Sequence, residues 1–138
     1  MKPFRYLQQG LIRWAAAGML IGLSACAAPP ILDATYVLKP QQSLALSRGL
    51  TLTYDSVSDS RCPANVHCIW AGRLAYRFIV RDRNGSEEFS LGPDQPVAAP
   101  AALHGGHVSL ELSAVPPARI ATARPSDLTP VTLRITAK

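Results

Sequence analysis

The chain is short of the residues that most chemistry needs. Its 138 residues include 9 acidic side chains and three histidines, and the acids are scattered through turns and strand edges. There is no Gly-x-Ser-x-Gly elbow to expose a nucleophile. There is no glycine loop to cradle a phosphate and no His-Glu-x-x-His to hold zinc. Catalysis has no motif to start from, and the expectation is a non-enzymatic protein without a cofactor. Long hydrophobic runs are missing as well. Trp14 to Ser24 is an apolar run of 11 residues, whereas a helix needs about 20 to cross the hydrocarbon core. A concentrated basic face is also missing. Lys+Arg totals 14, but Lys2, Arg5 and Arg13 precede Cys26, so the 11 that follow meet 9 acids, a net of +2. That surplus gives no reason to expect nucleic acid as a partner.

What is present begins with targeting. Lys2, Arg5 and Arg13 form a basic n-region, and Trp14 to Ser24 has the length of a signal-peptide h-region. Leu23-Ser24-Ala25-Cys26 closes the segment with small residues before a thiol. These four residues resemble a bacterial lipobox. In that family the cysteine receives a diacylglycerol thioether, the signal is cut before it, and the new amine is acylated. The resemblance implies that residues 1–25 are removed, that Cys26 is lipidated and that the mature chain is Cys26 to Lys138. Fatty-acyl chains such as palmitate would then anchor the protein to a membrane, each buried methylene contributing about 0.8 kcal/mol. The alternative is an ordinary secretory signal with an incidental cysteine. Ala27 stands where Asp would be; by resemblance to the sorting rule of Gram-negative lipoproteins, this implies the outer membrane, with the domain facing the periplasm. Residues 26–33, with Pro29 and Pro30, read as an extended tether.

Cys62 and Cys68 remain, with five residues between them, one of which is Pro63. An extracytoplasmic compartment permits a disulfide, and closing so short a loop constrains the unfolded chain by roughly 2 kcal/mol. A metal thiolate pair and a redox couple are the alternatives, although thioredoxin-type pairs have two intervening residues. The surrounding stretch, Asp59-Ser60-Arg61-Cys62-Pro63-Ala64-Asn65-Val66-His67-Cys68-Ile69-Trp70-Ala71-Gly72, resembles a segment of small secreted bacterial proteins and lipoproteins. Their pattern is Asp-Ser-Arg-Cys-Pro, four residues, Cys, any residue, Trp-Ala-Gly. The resemblance implies a small β domain with these two cysteines bridged; it supplies no activity.

Two readings of this loop compete. In the first it is scaffold. Trp70 packs over the disulfide, Gly72 bends the chain into the next strand, and Asp59 accepts backbone N–H groups while Arg61 pairs with it or bonds loop carbonyls. In the second the stiffened loop is a recognition surface, with Arg61, Val66, His67 and Trp70 as its contacts. A protease-inhibitor loop is one version of the second.

From residue 34 to 138 the chain reads as one all-β domain: short alternating runs divided by Pro, Gly and Asn, with no useful 3.6-residue period. Ala34–Leu38, Ser43–Ser47, Leu50–Val57 and a strand carrying Leu74, Tyr76, Phe78 and Val80 on one face come first. Asn84-Gly85 suggests a two-residue type I′ turn. That turn sets Arg81 opposite Glu88, Val80 opposite Phe89 and Phe78 opposite Leu91. A Pro- and Ala-rich connection then leads to a strand from His107 to Ala114, a weak edge segment near Ile120 and a last strand at Val131–Thr136. About seven strands predict a small antiparallel β-sandwich with one disulfide-braced loop.

Two further groups are candidate sites. His104 and His107, joined by His67, form a weak candidate for copper or zinc, and would make the protein a periplasmic metal-binding lipoprotein. Arg73, Arg77 and Arg81 share one face of a strand and suit an anionic partner: an acidic polysaccharide, lipid phosphate or an envelope protein. The plain alternatives are solvated turn histidines and a solvated strand face.

Overall fold

A computed structural model describes residues 33–47, 49–121 and 129–138. The expected signal segment, Cys26 and the tether to residue 32 lie outside those residues, as does Arg48. Eight strands run in the order β1 (Ala34–Leu38), β2 (Ser43–Ser47), β3 (Leu50–Asp59), β4 (Leu74–Arg81), β5 (Ser86–Leu91), β6 (Val97–Ala98), β7 (His107–Leu110) and β8 (Val131–Thr136). They form two antiparallel four-stranded sheets, β1-β8-β7-β6 and β2-β3-β4-β5. The arrangement is sandwich-like and carries the Cys62–Cys68 disulfide.

The alternation that marks the strands in sequence also sets their inner faces. Along β4, Leu74, Tyr76, Phe78 and Val80 are buried, while Arg77 and Arg81 between them are exposed. Side chains of a strand point alternately to its two faces, so one face of β4 meets the core and the other meets water. Leu52 and Tyr54 from β3, Leu91 from β5, Val108 from β7 and Leu133 and Ile135 from β8 join the same core, which therefore takes residues from both sheets. Burying each such side chain stabilises the fold by about 1.5–3 kcal/mol. Tyr54 stands 5.3 Å from Phe78 between ring centroids, and its hydroxyl donates to the Thr129 carbonyl at 3.0 Å. That bond ties the second sheet to the segment entering β8. Removing the hydroxyl from water pushes the Tyr54 pKa upward.

Four details differ from the sequence expectation. The eighth strand is β6, a two-residue strand inside the Pro- and Ala-rich connection. The β4–β5 register is also offset: Arg81 faces Ser86, Val80 faces Glu87, Ile79 faces Glu88 and Phe78 faces Phe89. The cause is Asp82, whose Oδ1 accepts the Asn84 N–H at 2.7 Å and the Gly85 N–H at 2.9 Å. An Asx anchor of this kind centres the turn on Arg83-Asn84, closed by the Asp82 N–H on the Gly85 carbonyl at 2.9 Å, one residue earlier than expected. It brings Phe78 and Phe89 together as a stacked pair.

The strand expected to reach Ala114 stops at Leu110, and Leu112–Ala114 form a 3-10 turn. The bonding to β8 runs one step past Leu110, with the Glu111 N–H donating to the Thr132 carbonyl at 3.0 Å, and then gives way to the turn, in which the Glu111 and Leu112 carbonyls accept the Ala114 and Val115 N–H groups. Leu112, within the expected strand, is half exposed. Ile120 belongs to no strand.

The layout has two poles. Asp59, Arg61, Leu74, Thr129 and Pro130 line one cleft, so the end of β3 and the starts of β4 and β8 meet there. Because β1 runs antiparallel to β8, with Ala34 facing Ile135, β1 begins at the opposite pole. Near that pole, Leu50, Asp82, Arg83 and His104 line a second cleft.

Candidate functional site

The cysteine loop springs from the first pole. Its base continues the β3–β4 pairing: the Ser60 N–H donates to the Arg73 carbonyl and the Cys62 N–H to the Ala71 carbonyl, both at 2.9 Å. Gly72 sits at φ 64°, a left-handed conformation that L side chains disfavour. A Cβ there would overlap the Ser60 carbonyl oxygen. The glycine is required twice, for its backbone angle and for the space.

Arg61 fastens the loop to the rest of the domain. Its Nε and Nη2 donate to Asp59 Oδ1 and Oδ2 at 2.9 and 2.8 Å. Nη1 donates to the Pro116 carbonyl at 2.8 Å and Nη2 to that of Pro117 at 3.4 Å. Asp59 also accepts the Arg61 backbone N–H, and Arg119 approaches it at 3.8 Å. The Arg61 and Asp59 side chains are 18% and 10% exposed. The guanidinium bonds hold the Asp59 carboxyl below the usual carboxylate range, and the same contact raises the Arg61 pKa. Arg61, a candidate contact of the recognition loop, has four of its five N–H groups occupied and points inward. It is the clamp: it pairs with Asp59, and the carbonyls it bonds are those of Pro116 and Pro117 in place of the loop's own.

Two further bonds hold the outer loop: the Ala64 N–H to the Arg119 carbonyl at 3.0 Å and the Ala121 N–H to Asn65 Oδ1 at 2.8 Å. The disulfide joins Cys62 and Cys68 across a Cα separation of 5.8 Å. Beyond these restraints the side chains turn outward. Trp70 is 83% exposed and Ile69 95%. Trp70 does not cover the disulfide, and Cys68 itself is exposed. Gly72 and the ladder bonds at residues 60–62 fix the backbone direction there, which leaves the indole outside the core. Val66 and His67 are exposed on the same loop, and Ile120 is exposed beside the bonded Asn65–Ala121 contact.

The sequence missed Ile69, which falls at the variable position of the resembled pattern, and Ile120. No local signal marks either as a neighbour of the loop. Arg119, Pro116 and Pro117 were equally invisible as partners of Asp59 and Arg61, because they lie more than 50 residues along the chain.

The other candidates lie apart. His104 lines the cleft near the second pole, with Asp82 and Arg83, while His67 sits on the cysteine loop. The eight-residue β4 between those two regions spans roughly 25 Å, so His67 cannot join His104 and His107 around one ion. Among the described residues no three His, Cys, Asp or Glu side chains are grouped to hold a metal. Arg73, Arg77 and Arg81 are all exposed. The Arg81–Glu88 pairing expected from the sequence is not formed, because Glu88 faces Ile79. Among the described residues no carboxylate lies within 4.0 Å of these three arginines. Likewise, no helix among them is long and apolar enough to cross a membrane.

Compared with known proteins, the chain matches no family model, no curated protein and no solved structure.

Proposed function

We propose that the protein is a lipid-anchored, non-enzymatic binding module of the cell envelope, in which the Cys62–Cys68 loop is the recognition surface. One observation carries this reading: Ile69 and Trp70 are 95% and 83% exposed on a loop restrained by a disulfide, a bidentate arginine clamp and two long-range hydrogen bonds, one between backbone groups and one to the Asn65 side chain. Leaving an indole and an isoleucine in water forgoes about 1.5–3 kcal/mol of burial each. Contiguous exposed apolar groups on a soluble surface mark interaction sites. Restraint adds to their value, since a loop already fixed loses little freedom on binding, and tryptophan is over-represented among residues that dominate interfaces.

The fold also suits an anchor at Cys26. β1 begins at the pole away from the loop, so a tether entering Ala34 leaves Trp70 facing away from the membrane that holds the lipid. The expected localisation is the outer membrane, with the domain in the periplasm.

The test is retention of solubilised envelope extract by the full chain, compared with folded Trp70→Ala and Ile69→Ser variants. Retention that falls away in both variants supports the reading; equal retention by all three refutes it. Labelled fatty acid incorporated by the parent and absent from Cys26→Ser supports the anchor, and labelling that survives the substitution refutes it.

A further inference from the structure

The cysteine loop does not end at its tip. Its exposed residues run directly into the outer face of β4. From Ser60 to Arg81 the sequence contains no Asp or Glu, but it contains Arg61, Arg73, Arg77 and Arg81. Arg61 is neutralised by Asp59. The other three are exposed, with no carboxylate within 4.0 Å among the described residues.

Their neighbours are hydroxyls. Arg77 is flanked by Ser56 of β3 and Ser90 of β5, and Arg81 by Thr51 and Ser86. Two carboxylates lie nearby. Glu88 faces Ile79 across the ladder, and Asp55, at the bulge in β3, accepts the Ser56 hydroxyl at 2.8 Å. The surface is therefore a strip. Guanidinium groups stand along it at intervals of about 13 Å, bordered by Ser and Thr, and the loop that carries the exposed Trp70 adjoins its Arg73 end in the chain.

We infer that this strip, from Trp70 along Arg73, Arg77 and Arg81, binds a linear acidic polysaccharide. The inference rests on the reading of the cysteine loop as a recognition surface and names its ligand. Each guanidinium offers a forked pair of donors that matches a uronate carboxylate. The bordering hydroxyls match sugar hydroxyls, donating and accepting alike. The flat indole packs against the C–H face of a pyranose ring.

A bilayer fits less well. With the tip inserted, Arg81 would stand about 26 Å from Arg73 along the strand, several Debye lengths of about 8 Å from the headgroups. Only Arg73 would then meet lipid phosphate, and the rest of the strip would be idle. An extended chain can meet all of it at once.

The experiment uses the full chain in phosphatidylcholine nanodiscs. The probes are alginate as acidic polysaccharide, dextran as neutral polysaccharide, polyglutamate as acidic polypeptide and phosphatidylglycerol vesicles as anionic bilayer. The expected result is alginate binding that weakens between about 50 and 200 mM salt, as counterion release requires, with no binding of dextran. Arg77→Thr with Arg81→Thr lowers the affinity about tenfold or more and reduces the salt slope by about one per arginine. Trp70→Ala lowers the affinity about tenfold and leaves the salt slope unchanged.

Four results overturn the inference: no alginate binding; equal affinity in the arginine variant; polyglutamate bound as tightly as alginate and indifferent to Trp70; or capture of vesicles in place of alginate. Trp70-dependent retention of envelope extract without alginate binding removes this ligand and leaves the recognition loop standing. Loss of both removes both.

Discussion

Replacing Arg61 with alanine tests the architecture of the loop most directly. The substitution removes two bonds to Asp59 and two to the carbonyls of Pro116 and Pro117. Asp59 keeps the backbone N–H of residue 61 at 3.2 Å and the more distant Arg119 at 3.8 Å. Breaking a fully buried ion pair by deleting one partner costs about 3–5 kcal/mol. Here the two side chains are 18% and 10% exposed, and water reaching the orphaned groups reduces that to about 2–3 kcal/mol. For a domain of roughly 100 residues this lowers Tm by about 10–20 °C.

The assay is urea unfolding of the full chain with its disulfide intact, followed by the near-ultraviolet dichroism of the tyrosines. A double-mutant cycle with Asp59→Asn should return a coupling of about 1.5–2 kcal/mol. Arg61→Lys keeps the charge without the fork and should lose about 1–1.5 kcal/mol. A loss below about 0.5 kcal/mol for Arg61→Ala, or a cycle that is simply additive, would refute the clamp.

Three other outcomes follow from the same geometry. Trp70→Ala and Ile69→Ser should each leave stability within about 0.5 kcal/mol of the parent; a larger loss in urea would mean that these side chains are packed. Gly72→Ala should cost about 2–3 kcal/mol, from its left-handed backbone angle and the displaced Ser60 carbonyl, and an unchanged urea midpoint would contradict that. Asp59 titrates below its unfolded value of about 3.9. Its stabilisation is therefore complete only above about pH 5 and is lost as pH falls through the depressed folded value. Arg61→Ala should flatten that acid slope, and identical slopes in parent and variant would show that the pair is not its source.

The strands were legible wherever one face is wet and the other dry. β1 and β2 match the sequence expectation at both ends, and β4 shows why: an alternation as regular as Leu74 to Arg81 leaves one register for burial. The β4–β5 turn departs from the Asn84-Gly85 expectation because a second local signal competes with it: the Asp82 carboxylate accepts the N–H groups two and three residues on and sets the turn one residue earlier. Leu112 leaves the expected His107–Ala114 strand although β8 reaches the position opposite it, because the Glu111 and Leu112 carbonyls are taken by the Ala114 and Val115 N–H groups of the 3-10 turn.

At the site, the Asp59–Arg61 pair was readable from two residues of separation. Its anchorage to Pro116 and Pro117 was not, because nothing local points across 55 residues. The direction of Trp70 was likewise open. The sequence places an indole two residues from the bridge, and only the backbone path at Gly72 decides which way it faces.

The outer strands of the two sheets bear on how copies of this protein meet at high local concentration. A sheet edge offers unpaired N–H and C=O groups to any passing strand. Here each sheet has an edge that is hard to extend. β6 is two residues long, and the β2–β3 register slips between Ala45 and Ser47, which spoils the straight row of groups that a docking strand would need. β5 is longer but carries Glu87 and Glu88, and two copies laid edge to edge would bring those charges together. Crowding many copies together is therefore poorly suited to seeding fibrils through these edges.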